Sequence, residues 1–84
     1  MNPHIPGQIK TRKPVLLFIK GAGTPLVLYV DDPDEVYAEI KNIIAKANPQ
    51  FPKLVEKAGK GPLKKVSMLD TQISGVAIQE EPAV

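Results

Sequence analysis

Nine prolines in 84 residues cut this chain into short pieces, and their positions constrain the fold more than any other feature. A proline cannot donate to a helix or sheet ladder, and it pushes the preceding residue toward extended backbone. Pro3, Pro6 and Pro14 fall in the first segment, Pro25 opens an apolar run, and Pro33 stands where a helix begins. Pro49 and Pro52 end that helix and stiffen its exit, Pro62 sits in a glycine-rich turn, and Pro82 marks the last residues. The stretch from Pro33 to Pro49 is the only proline-free interval that also carries a helical hydrophobic period. The chain is therefore expected to hold one helix among short strands.

The helix is specified by its ends as well as its stripe. Asp32 suits the N-cap, Pro33 the first helical position, and Glu35 completes an Asp-x-x-Glu capping box. Val36, Ile40, Ile43, Ile44 and Ala47 recur at the spacing of one buried face, and Asn48-Pro49 stops the run. Before the helix, Val15–Ile19 and Leu26–Val30 flank the turn Lys20-Gly-Ala-Gly-Thr-Pro25, which reads as a hairpin. Neither run alternates cleanly, so both strands are expected to be covered on both faces over part of their length. After the helix, Leu54–Lys57 and Lys64–Leu69 flank Ala58-Gly-Lys-Gly-Pro62. Asp70-Thr-Gln72 breaks the second of these, and a last strand over 75–79 follows, with Ile73, Val76 and Ile78 facing inward.

The expected fold is α+β, in the order β-β-α-β-β-β. It has one small antiparallel sheet of about five strands and one amphipathic helix packed on one face. A small SH3-like or Lsm-like barrel is the alternative, and the helix in mid-chain counts against it. Residues 1–14 are expected to form a flexible, Pro-rich, basic arm, 15–80 a single domain, and 81–84 a tail. On this reading the arm can be deleted without loss of the fold.

Composition removes several chemistries. There is no cysteine, hence no disulfide, thiolate zinc site or thiol nucleophile, and the single histidine is His4. No apolar run approaches the roughly 20 residues of a membrane span. The run after the first basic residues is too short for a signal-peptide core, so a cytoplasmic address is expected. Ser67 and Ser74 have no adjacent base in the sequence pattern. Asp31, Asp32, Asp34 and Glu35 match a helix start better than a cation loop, because Pro33 interrupts them. Gly21-Ala-Gly23 has no helix behind it to supply the field of a phosphate site. Gly59-Lys60-Gly61 reads as a lysine-bearing hairpin tip. No catalytic, cofactor-binding or metal residue is expected, and the chain is not read as an enzyme.

The net charge of +2 conceals a segmented distribution. Residues 1–20 carry +4, 31–39 carry −5, 53–65 carry +4 and 70–84 carry −3. The two basic segments yield the candidate partner-binding residues: Lys10, Arg12 and Lys13 on the arm, and Lys57, Lys60, Lys64 and Lys65 on the second hairpin. The expected function is a small protein-interaction module or assembly subunit, binding another protein or itself, with a dimer among the outcomes. The alternative is an RNA- or DNA-binding module using the same lysines. One arginine and four aromatic residues provide poorly for it.

From 24 to 80 the chain also resembles a family of short uncharacterised cyanobacterial proteins. The residues that carry the resemblance are Thr24-Pro25, Tyr37 with Ile40, Asn48-Pro49-Gln50, Glu56-Lys57, Lys64-Lys65-Val66 with Leu69, and Ile73-Ser74 with Val76. It departs from that pattern in the Pro-rich arm, in Phe51-Pro52 and in the glycines of 59–62. The resemblance implies an amphipathic helix followed by a β-meander in a bacterial cytoplasmic protein. It transfers no catalytic residue.

Overall fold

A computed structural model of the chain describes residues 11–82. Their order is β1 (Thr11–Arg12), β2 (Val15–Ile19), β3 (Leu26–Leu28), α1 (Pro33–Lys46), β4 (Leu54–Ala58) and β5 (Lys65–Leu69). A 3-10 turn (Asp70–Gln72), β6 (Ile73–Ile78) and β7 (Glu81–Pro82) complete it. The α+β class, the antiparallel pairing and the β-β-α-β-β-β order of β2 to β6 match the sequence reading.

The single five-stranded sheet does not form. The strands divide into a three-stranded sheet in the order β3-β2-β6 and a separate hairpin of β4 and β5, with β1 pairing β7 beyond the first sheet. The division falls between β3 and β4, where one backbone bond remains, from the Lys60 N–H to the Tyr29 carbonyl at 2.7 Å. The cause is the length of β3. It ends at Leu28, beyond which the chain turns through Val30 and Asp31 into the helix cap, and only the Tyr29 carbonyl meets the line of β4. β4 diverges and delivers Val55 to the core.

The pair β1–β7 belongs to the same ribbon as β2–β6. Thr11 lies opposite Pro82, Arg12 opposite Glu81 and Val15 opposite Ile78, so one register runs through all of them. The Gln79 N–H donates to the Pro14 carbonyl at 3.0 Å, but Pro14 has no N–H to return, and the ladder breaks there. The expected division after residue 14 falls within this ribbon. Residues 11–14 extend the fold, and Pro14 is fully buried. Glu81–Pro82, assigned to the tail, is their partner. Residues 1–10 lie outside the described residues.

The helix begins as its sequence dictates. The Asp32 side chain accepts from the Glu35 N–H at 3.1 Å, Pro33 opens the first turn, and Asp34 and Glu35 lie at the positive end of the dipole. Its Ile40 is completely buried with Val15, Leu17, Leu28, Val55 and Ile73, while Val36, Ile43 and Ile44 pack around that group. The odd-numbered residues of β2 therefore face the helix. The even-numbered ones point away from it: Leu16 is half-buried and Phe18 is 38% exposed, so the second face of β2 is covered over only part of its length. Phe18 lies across Gly75, its partner on β6, with its ring 3.6 Å from where a glycine Cβ would stand. Between Phe18 and Ile19 the ladder shifts by one residue, and the Ser74 hydroxyl donates to the Phe18 carbonyl at 3.1 Å.

Candidate interaction surfaces

The basic residues singled out from the sequence do not form one free patch. Lys10 lies outside the described residues. Arg12 is in β1 opposite Glu81, and Lys13 is exposed. Lys57 points from β4 toward the helix and forms an ion pair with Glu39. Lys60 pairs with Asp31 at 3.0 Å in full view of solvent. Lys64 and Lys65 are exposed. Half of the basic second hairpin is thus matched against the acidic segment around the helix start, and the charge blocks of the sequence meet within the molecule.

Tyr29 joins the hairpin tip to the ribbon. Its hydroxyl donates to Glu81 Oε1 at 3.1 Å, and Glu81 is the register partner of Arg12. A Cβ on Gly61 would stand 2.4 Å from Tyr29 Cδ2, and one on Gly59 2.4 Å from the Leu63 carbonyl and 2.8 Å from Leu28 Cδ1. These glycines permit a close approach of the tip to β3. The N–H groups of Gly59 and Lys60 donate to the Lys64 and Tyr29 carbonyls. In the sequence these glycines suit a lysine-bearing hairpin tip or an anion loop, and nothing there points to Tyr29, because the contact joins residues about thirty positions apart.

Two clefts flank the 3-10 turn. One, of about 390 Å³, lies between the second half of α1 and β4 and includes Ile43, Lys46, Lys53 and Leu54. The other, of about 310 Å³, includes Ile44, Ala47, Thr71 and Ser74. Asp70 lines both and is only 6% exposed. Its Oδ1 accepts from the Lys53 N–H at 3.0 Å while its own N–H donates to the Lys53 carbonyl at 2.8 Å. That reciprocal clasp fixes the start of β4 beside the end of β5, and a carboxylate so engaged is a structural acceptor. Ser67, also exposed, donates to Glu56 Oε2 at 3.4 Å across the hairpin. Among the described residues no group of three or more His, Cys, Asp or Glu comes together to hold a metal ion.

The aromatic residues do not make a stacking platform. Tyr29 is tied to Glu81, Tyr37 lies under Lys41 with the ammonium 5.4 Å from the ring centre, and Phe51 is 67% exposed beyond the helix.

On the outer face of the first sheet, half-buried apolar residues surround the exposed Phe18. On the side of the three-stranded sheet facing away from α1, register places Val27, Leu16 and Ala77 in one row and Phe18 beside Gly75 in the next. No charged side chain occurs in these rows. On the hairpin, Leu54 and Leu69 are direct partners on the outer face, 69% and 42% exposed.

Comparison of the chain with protein-family models, with curated proteins and with solved structures gives no match. Among the described residues no helix is long and apolar enough to cross a membrane.

Proposed function

We propose that this chain is a non-enzymatic protein-interaction module, a small subunit that assembles with another protein or with itself. The observation that carries the reading is the outer face of the three-stranded sheet. A solvated antiparallel face normally alternates polar residues with the core positions, and here the alternate positions are Leu16, Phe18, Val27 and Ala77. Contiguous apolar surface of this kind marks contact with a partner. The ion pairs of Lys57 and Lys60 favour a protein over a nucleic acid, because those charges already have counterions. Kinship with the short cyanobacterial proteins and a cytoplasmic setting belong to the same reading and rest on the residue pattern of 24–80.

The test is capture from nuclease-treated native lysate by the full chain, compared with its Phe18→Lys variant. A protein recovered by the first and lost by the second supports the proposal. Recovery that vanishes with nuclease treatment, or that is unchanged in the variant, overturns it.

A further inference from the structure

Four strand edges lie at the limits of the three-stranded sheet and the hairpin. The Tyr29 carbonyl, on the outer side of β3, is taken by the Lys60 N–H, which stands on the outer side of the β4 strand line. The helix covers the inner face of the first sheet and lies mainly against β6. Among the described residues β4 and β5 make contact of that extent only with one another, so each keeps an outer edge.

The polarity of the β5 edge follows from the ladder. The Gly59 N–H donates to the Lys64 carbonyl, and the Asp70 N–H to the Lys53 carbonyl. Even-numbered residues of β5 therefore exchange bonds with β4, and the backbone groups of Lys65, Ser67 and Leu69 point outward. An edge of this kind is a template for another strand unless charge, proline or a bulge blunts it. Lys65 is the only charge within β5, and the strand contains no proline and no register shift.

From this edge we infer that β5 takes the β5 strand of a second copy of the chain, antiparallel, about a two-fold axis through Ser67. The inference rests on the interaction reading above and narrows it to one partner. In a two-fold antiparallel pair, directly opposite residues must share a face, so the axis passes through a residue. Ser67 is the midpoint of the strand, and centring there lets all five residues pair. Ser67 then faces its own copy, Lys65 faces Leu69, and Val66 faces Met68. Beyond the strand Lys64 comes opposite Asp70. No like charges oppose one another, and the aliphatic stem of Lys65 covers the exposed Leu69. The β4 edge gives the opposite result, because its midpoint sets Glu56 against Glu56.

The chain has no cysteine, so a single introduced thiol reports the register directly. Opposite residues in a hydrogen-bonded pair lie about 5.5 Å apart at Cα, inside the reach of a disulfide. Under mild oxidation, Ser67→Cys is expected to cross-link to a covalent dimer roughly tenfold or more faster than Lys65→Cys, whose copy stands opposite Leu69. An equimolar mixture of Lys65→Cys and Leu69→Cys, both at exposed positions, is expected to recover the faster rate in the mixed dimer. Equal rates for Ser67→Cys, Lys65→Cys and the mixture overturn the pairing. Phe18 lies on the other sheet, so the capture experiment succeeds or fails independently of this one.

Discussion

Gly61→Ala isolates the contact that holds the hairpin against the sheet. The new Cβ would stand 2.4 Å from Tyr29 Cδ2 and 3.2 Å from Cε2 and Cγ. Carbon atoms rest at about 3.5–4.0 Å, so the ring or the tip must move by roughly 1 Å. The ring is not free to yield. Its hydroxyl is held by Glu81 at 3.1 Å, and the Tyr29 carbonyl by the Lys60 N–H at 2.7 Å. Overpacking of this kind costs about 1–3 kcal/mol, and loss of one of the two bonds adds about 1 kcal/mol. The expected destabilisation is about 2–4 kcal/mol, which for a domain of this size lowers Tm by roughly 8–32 °C. Urea unfolding followed by far-ultraviolet circular dichroism measures it. Gly23→Ala is the control, since nothing lies within 4 Å of its Cβ, and it should stay within about 0.5 kcal/mol of the wild type. Adding Tyr29→Ala removes the obstructing ring, so the double variant should show a coupling of about 1 kcal/mol or more. A Gly61→Ala protein as stable as the wild type, or a penalty that persists without the ring, would refute the reasoning.

Three further outcomes follow from the hydrogen bonds and the ribbon. Asp32→Ala removes the acceptor of the Glu35 N–H and should cost about 1 kcal/mol in thermal unfolding, with partial recovery in Asp32→Ser. Asp70→Ala leaves the Lys53 N–H without its acceptor and should cost about 1–3 kcal/mol in urea, whereas Asp70→Asn retains an acceptor oxygen and should lose less than half as much. Removing residues 1–14 deletes the buried Pro14 and the carbonyl that receives the Gln79 N–H, so unfolding should remain cooperative with a Tm several degrees lower, about 1–2 kcal/mol less stable. An unchanged Tm in that truncation would return residues 11–14 to the arm.

The helix was legible in full because both its signals are local: a cap and a proline at one end, a proline at the other, and a stripe of period 3.6 between them. The strands were legible as runs, and the break at Asp70-Thr-Gln72 as the loss of alternation. Their partners were not. Whether β3 carries β4 depends on how soon the chain leaves Leu28 for the helix cap, a three-dimensional competition that no period records. Two-residue strands such as Thr11–Arg12 have no period to detect, and their pairing shows only in a register shared with Val15 and Ile78. Phe18 sits in an unbroken apolar run, where burial and exposure on an apolar face read alike.

The candidate surface was legible only in its charges, and those misled in part. A lysine cluster reads as free in sequence, yet Glu39 and Asp31 reach Lys57 and Lys60 from the helix and its approach. The apolar sheet face and the open edge of β5 required the register to be seen. Once it is known, the even positions of β2 and the odd positions of β5 become the residues to test.

Amide hydrogen exchange along β5, followed from about 1 µM to about 1 mM protein, tests self-association most directly. In dilute solution Val66 and Met68 should exchange slowly through their bonds to β4, and Lys65, Ser67 and Leu69 quickly. With rising concentration the three odd positions should slow together until the strand is protected throughout. Rapid exchange at Lys65, Ser67 and Leu69 across the whole range, with Val66 and Met68 still protected, would contradict pairing through this edge.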